Sequence, residues 1–554
     1  MTWGAGFLAD LDDEKHSISL RLVLCPETTP TLYHPGPATA IVLTNYDEVD
    51  SYNCLRAPCR TSGASVDPWT WRYTMGQLEI GFSAMRVVSG VEIKDQILRD
   101  ILDAKVARGS VVELWVGFDT TDSADMERVF LGTLFDIQSE RGMGARTAFR
   151  IIARDAVSLV QSVSNSISTA GALFINTFEV EETLSIAYTV GDATLSMADV
   201  SNFERETGGT GAVLVDTGGD PFLLTYTGTS GGTQLTGVSA AGQFYTTASN
   251  GAGTVANVVL MQGHPVDILR RMFVSTGDGT NGTWDDYPAS WGLALPESFV
   301  DVADMGDWKT ATDSTEVWNV IAEEVVTNPL QWIEGIWGRA GIFPVHAQGM
   351  LTVRAAQDIQ GTPTETTGIT ITDSQIAAVE AWSAFDPSQP WEYTDVETVT
   401  GGDPRLLTQQ ELFLETGSVV YSFETILAGA ATLAGVSAEA ANTRPSQELR
   451  QIDLSRCLWG PGYADGNETT RMAPWYLDTR EPLTLLGRGL AWARFAPGDV
   501  VNVTTSLAFG YVESSGAGTY SSAQMMVVAG PDVDWLGGTC RMRLVRLPGR
   551  VIGA

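Results

Sequence analysis

The sequence predicts a mainly β chain of the α+β class: two small β-barrel domains carrying inserted β and helical modules. Three observations predict it. Period-2 alternation recurs along the chain, as in RTAFRIIARDAVSLV (Arg146–Val160), where every second residue is apolar. Glycine is abundant, with 57 residues, and it separates short strand-like runs. The helical stripes are few and short, so each needs a sheet to cover its apolar face.

The 554 residues suffice for roughly three or four domains. With 44% hydrophobic and 18% charged residues, the chain has ample core and is not of the disordered class. The formal net charge is −34. A surface of that sign repels a phosphate backbone, which argues against a nucleic-acid-binding protein unless a local basic patch exists. The one local concentration of arginine is RMRLVRLPGR (Arg541–Arg550), whose alternation reads as one face of a strand.

Residues 1–64 hold two strand candidates, SISLRLVLC (Ser17–Cys25) and TAIVLTNY (Thr39–Tyr46), around a Pro/Gly stretch. They read as an arm or edge hairpin. The start of the chain is acidic and lacks a basic region before a long apolar run, so no secretory signal is expected, and no apolar run is long enough to span a bilayer. Residues 65–165 read as the first barrel. SVDPWTWRYTMGQLEIGF (Ser65–Phe82) gives a turn and a strand. A helix follows within Glu92–Gly109, with Ile97/Ile101 and Leu98/Leu102 as its stripe. Strands then follow in Gly109–Phe118, Arg128–Glu140 and Arg146–Val160.

Residues 166–263 read as a connector with a small β insertion. Its strands are Val213–Asp216, Phe222–Tyr226 and Gln234–Val238, separated by Gly-rich turns. Residues 264–345 read as helical. HPVDILRRMFVSTG (His264–Gly277) opens with Pro265, suited to a first turn. DSTEVWNVIAEEVVTNP (Asp313–Pro329) has a capping-box-like start at Asp313 and Glu316, a stripe at Val317, Ile321 and Val325, and Pro329 as its end. Residues 346–446 read as a middle β/helical domain with an Ala-rich tract at Ile426–Asn442. Residues 447–554 read as the C-terminal barrel, with the step Phe495, Gly498, Asp499, Val500 launching a strand and a hairpin within Ala523–Leu547.

The order of these steps resembles the tube-like barrel of bacteriophage tail hub proteins. The matching steps are Gly76-Gln77-Leu78, Gly109 to Gly117, Val129 to Asp136, Phe149 to Asp155, the GIFPVHAQGMLTVR segment ending at Arg354, and Gly498-Asp499 to Thr504. The insertion from Gly211 to Val238, with Tyr226-Thr227-Gly228 and Leu235-Thr236-Gly237, resembles a module of phage tail hub and fibre proteins. The resemblance covers about half the chain. It implies a structural hub at a tail tip or baseplate, in the virion. There three chains with two barrels each adapt a hexameric tube to a three-fold tip. The implied partners are a homotrimer, a distal-tail or tail-tube protein, a tape-measure protein, and a fibre or tip protein. DNA is a partner only in transit through the channel, and no cofactor is implied.

The histidines His16, His34, His264 and His346 show no metal spacing such as H-E-x-x-H, and there is no nucleophile elbow or phosphate loop. Glu323/Glu324 and Asp285/Asp286 are adjacent carboxylates, poorly placed for glycosidic cleavage. Among five cysteines, Cys54 and Cys59 form the one close pair, open to a metal or iron–sulfur reading, a local disulfide, or two free thiols. Of 16 tryptophans, Trp69, Trp71 and Trp115 in the first barrel are candidates for subunit interfaces as well as for core. An alternative function of another class is a secreted or virion-borne protein that binds or cleaves cell-surface glycan.

Overall fold

The computed structural model describes most of residues 3–162, 181–239, 255–274, 293–356 and 370–400, the strands at 421–422, 448–454 and 457–459, residue 475, and 481–547, with short interruptions inside these ranges. The fold is mainly β. Sixteen strands belong to one sheet that curls into two barrel-like units, with no closed hydrogen-bonded ring among the described residues.

The chain opens with helix α1 (Ala5–Leu11), which buries Phe7 and Leu11. The strands of the first barrel are β1 (Ile18–Leu24), β2 (Ile41–Thr44), β3 (Tyr52–Asn53), β4 (Leu55–Ser62), β7 (Gln77–Ser83), β10 (Val111–Phe118), β11 (Glu127–Glu140) and β12 (Ala148–Asp155). Between them lie the hairpin β5 (Ser65–Asp67) with β6 (Arg72–Thr74), the hairpin β8 (Arg86–Val88) with β9 (Val91–Ile93), and helix α2 (Gln96–Asp103). Pairing runs β4-β7-β12-β11-β10-β1-β2-β3. Because β3 continues into β4 through Cys54, whose N–H donates to the Thr44 carbonyl, this order returns on itself. On β12 the alternation is complete: Phe149, Ile151 and Ala153 face inward.

Two sequence expectations are refined here. Of the arm or edge hairpin expected at 1–64, the hairpin is what forms: β1 pairs with β2, and it also joins β10, with Leu20, Leu22 and Leu24 inside the barrel. A run of leucines two apart has one place to bury its face, and the barrel interior supplies it. Helix α2 buries Ile97 and Ile101, but Leu102 stays 57% exposed, so the stripe is narrower than expected.

After β12 comes helix α3 (Val157–Ser162). The insertion forms two small sheets from β13 (Glu181–Thr183), β14 (Thr194–Ser196), β15 (Gly211–Asp216), β16 (Phe222–Tyr226), β17 (Gly228–Ser230), β18 (Gln234–Thr236) and β19 (Val255–Asn257). The β15–β16 hairpin and β18 stand where the Gly-rich turns placed them. Strand β20 (Met261–Gly263) and helices α4 (Pro265–Val274) and α5 (Val302–Ala311) follow, then β21 (Trp318–Val320) and helix α6 (Pro329–Ile336).

Of the helix expected from Asp313 to Pro329, the cap Asp313 with Glu316 and the stripe Val317, Ile321 and Val325 lie outside the described residues, and the described ones form something else. Trp318 and Val320 are buried on strand β21, which pairs with β20 and with β29 (Cys457–Trp459). A Trp-x-Val triplet fits a buried pleat as well as a helix face, and the sheet partners decide. Pro329 starts a helix instead of ending one: Asn328 caps α6 by accepting from the Gln331 N–H, and proline takes the position where an N–H has no partner anyway.

The hairpin β22 (Ile342–Ala347) with β23 (Met350–Ala355) leads to the second barrel. That barrel draws β24 (Thr370–Thr372) and β25 (Ile376–Trp382) from the segment assigned to the middle domain. A separate small sheet holds β26 (Tyr393–Thr400), β27 (Tyr421–Ser422) and β28 (Glu448–Leu454). The second barrel is completed by β30 (Pro482–Arg488), β31 (Val500–Val512), β32 (Gly516–Asp534) and β33 (Thr539–Arg546). β25 pairs with β30 and β24 with β31, so the turn at 373–375 closes the order β31-β32-β33-β30-β25. Asp373 pins that turn, accepting from Thr505 Oγ1 and from Ser506 N and Oγ. The Ala-rich tract 426–442, the carboxylate pairs 285–286 and 323–324, and His34 lie outside the described residues.

Two cores result. One fills both barrels and the groove under α1. The other packs Trp69, Trp71 and Tyr73 against the insertion, the helices and the β22–β23 hairpin.

Candidate functional site at the seam of two barrels

The two barrels meet where β32 pairs with β4, Val533 opposite Thr61 and Asp534 opposite Arg60. Arg60 Nε lies 3.1 Å from Asp534. The Gly63 N–H donates to Asp532 (2.8 Å), the Gly530 N–H to the Ala64 carbonyl (2.8 Å), and the Trp535 N–H to the Cys59 carbonyl (2.9 Å). Gly530 has φ +85°, and a Cβ there would stand 2.6 Å from the Arg541 carbonyl, so the crossing needs glycine.

A partly open cavity sits at this seam, lined by Thr61, Gln77, Asp155, His346, Pro531 and Trp535 among others. Asp155 is 1% exposed at the end of β12. Its carboxylate accepts from Tyr73 Oη (2.8 Å), the Gly76 N–H (2.5 Å) and the Val157 N–H (3.1 Å). Burial pushes its pKa up to about 7, against the pull of these three donors. His346 is pushed down to about 3, by burial first and by the Arg128 charge second. It is neutral at pH 7, and its Nε2 accepts the Leu131 N–H at 3.3 Å. Both Asp155 oxygens and His346 Nε2 are thus committed to donors within the fold. The knot fixes a strand end, a turn and a helix start in place.

A second buried knot joins α5, β23 and the second barrel. Arg354 is 4% exposed. Its Nε donates to Asp499 (2.7 Å), and its Nη1 donates to Asp304 and to the Val353 carbonyl (2.9 Å). The guanidinium carbon stands 5.1 Å from the Trp308 ring centroid. Burial alone would lower the Arg354 pKa, but the carboxylates of Asp304 and Asp499 outweigh it and raise it. Asp499 is raised by its burial, with Arg354 pulling it down. Gly498 has φ +98°, and a Cβ there would stand 2.7 Å from the Arg354 side chain. The Gly-Asp step read in the sequence therefore serves to seat an arginine.

The chain itself buries two of the three candidate interface tryptophans. Trp69 is 5% and Trp71 0% exposed. Trp71 meets Trp475 edge-on at 5.0 Å and stacks near Phe343 at 6.1 Å. Trp115 is half-buried on the outer side of β10. Its indole N–H donates to Glu113 (3.2 Å), and Arg128 lies 5.9 Å over its ring.

Cys54 and Cys59 are free, buried thiols on either side of a bulge in β4, so they form no local disulfide. Among the described residues no group of three metal-ligating side chains surrounds them. Burial pushes Cys54 up to about 12 and Cys59 higher still. Low thiolate content makes such thiols inert. Native protein treated with iodoacetamide at pH 8 is therefore expected to leave both unmodified in peptide mass spectra, while urea-unfolded protein is modified at both.

The C-terminal arginines alternate on β33 as read. Met542 and Leu544 point into the barrel, Arg541 pairs with Glu380, and Arg546 lies 3.9 Å from Glu481. These two cations are partnered, which weakens the reading of a basic groove.

Asp155 and Arg354 each close a step of the sequence pattern, but no motif marks either as functional. The signal was there for Asp155: it continues the inward-facing series Phe149, Ile151, Ala153.

Neither a protein-family model nor a curated protein matches the chain. Among solved structures, the crystal structure of a tail protein from Neisseria meningitidis MC58 is similar over 96% of this chain and 97% of that chain, at 8% identity and a TM-score of 0.36.

Proposed function

We propose that the chain is a non-enzymatic structural hub of a phage tail tip or baseplate. The observation that carries this reading is that one chain builds two β-barrels fused edge to edge through β4 and β32. Three such chains supply six barrels, the number that adapts a six-fold tube to a three-fold tip. The ordered sequence steps support the same reading. The charge of −34 suits a channel wall that repels DNA and lets it slide. In this reading the neighbours are a tube or distal-tail ring above, a tape-measure protein inside, and a fibre or tip protein below.

Light scattering of the purified chain, with negative-stain images, tests it. The expected result is a particle of three 59.4 kDa chains around a central hole. A monomer that binds or degrades peptidoglycan overturns the reading in favour of a glycan-directed protein.

A further inference from the structure

Strand β11 carries a bulge where its register on β12 shifts between Leu134 and Asp136, leaving Phe135 as the extra residue. Leu134 stays inside the barrel, while Phe135 is turned out and half-exposed. It belongs to neither apolar core. Its ring is covered by two cations instead: the guanidinium carbon of Arg108 lies 4.5 Å from the centroid and that of Arg154 lies 4.2 Å. Among the described residues neither arginine has a carboxylate partner. In a chain with 67 acidic and 33 basic residues, two arginines on one ring with no carboxylate partner among the described residues stand apart. The ring's quadrupole only partly offsets their mutual repulsion. A carboxylate seated against both forks would remove it.

The loop at the far end of the same barrel carries exposed carboxylates. The β10–β11 loop places Asp122 and Asp125 in solvent, with Asp119 beside them. Arg108 precedes β10 and this loop follows it, so the two ends are separated by the eight residues of that strand, about 26 Å.

We propose that the Arg108–Phe135–Arg154 stack is a docking site for a second copy of this chain, taking the carboxylates of that copy's Asp122–Asp125 loop in a head-to-tail contact. A contact between two different patches is heterologous and closes into a ring when its rotation permits. The inference deepens the hub reading, because it names a contact between subunits.

The test measures association of the full chain by light scattering at low (~0.05 M) and high (~0.5 M) salt. Three proteins are compared: wild type, Arg108→Glu with Arg154→Glu, and Asp122→Arg with Asp125→Arg. The wild type is expected to associate at low salt and to weaken at high salt. Each double variant alone presents one sign at both barrel ends and is expected to associate at least about tenfold more weakly. An equimolar mixture of the two variants restores opposite signs and is expected to recover association. Circular dichroism establishes that each variant is folded. A trimer that survives the arginine reversal unchanged overturns this contact while leaving the hub reading intact. A wild type that stays monomeric at low salt overturns the contact as well. A labelled DNA duplex retained by the wild type and lost on arginine reversal overturns it in favour of nucleic acid.

Discussion

Replacing Arg354 by Met is expected to destabilise the chain by about 3–5 kcal/mol, the usual effect of removing one partner from a buried ion pair. The loss comes less from the missing attraction than from what stays behind. Asp499 is 2% exposed and would keep its carboxylate in the interior, with the Ala496 N–H as its one remaining donor among the described residues. Asp304 would retain Thr352 Oγ1 at 2.7 Å, and its side chain is 24% exposed, so it can still turn to water. The burden therefore falls on Asp499. Its pKa is already raised by burial, and losing Arg354 removes the main opposing influence. A carboxyl raised in the folded state is disfavoured above that pKa and relieved as pH falls through it. The penalty of Arg354→Met should accordingly shrink in acid. Arg354→Lys should not rescue, since one ammonium cannot donate along two directions as the guanidinium does to Asp499 and Asp304. Urea unfolding followed by tryptophan emission suits the measurement, because Trp308 lies beside the guanidinium. A midpoint unchanged in Arg354→Met would show that the knot contributes nothing.

How much of this was legible in the sequence depends on which interactions are local. The period of β12, the hairpin β15–β16 and the Gly498-Asp499 step are set by neighbours within a few residues, and each was read correctly. What pairs across long distances was not legible. β1 looks like an edge strand until β10 is placed beside it, and that pairing reaches 90 residues along the chain, from Val23 to Glu113. Strands β24 and β25 join the second barrel through partners over a hundred residues away. Trp318 and Val320 carry a spacing that suits a helix as well as a pleat, and only β20 and β29 decide between them. The site followed the same rule. Trp69 and Trp71 could be named from the sequence, but whether their rings met a partner chain or Trp475 and Phe343 depended on the distant segments that cover them.

Asp155 gives the second large effect, and its pH dependence separates it from ordinary packing loss. Asp155→Ala would leave Tyr73 Oη and the Gly76 and Val157 N–H groups without their acceptor in the interior. Orphaned buried donors cost about 1–3 kcal/mol each before relaxation, so a loss of at least about 3 kcal/mol is expected. The sign with pH runs the other way from a usual salt-bridged aspartate. The folded-state pKa, about 7, lies above the ordinary 3.8. Below 3.8 both states hold the proton. As pH rises towards 7 the unfolded chain releases it while the folded chain keeps it, so stability falls across that window and levels off above it. The shift corresponds to about 4 kcal/mol at its full extent. Asp155→Asn removes the titration while keeping an oxygen for Tyr73 and Gly76. Its stability should therefore be flatter between pH 4 and pH 7 than that of the wild type. Asp155→Ala should be flatter too, but lower throughout. Urea midpoints of the three proteins across that range decide the matter. If Asp155→Asn keeps the full wild-type slope, the slope belongs to the general repulsion of a chain carrying −34 charges, and the carboxyl at the seam is ionised throughout, held by its three donors.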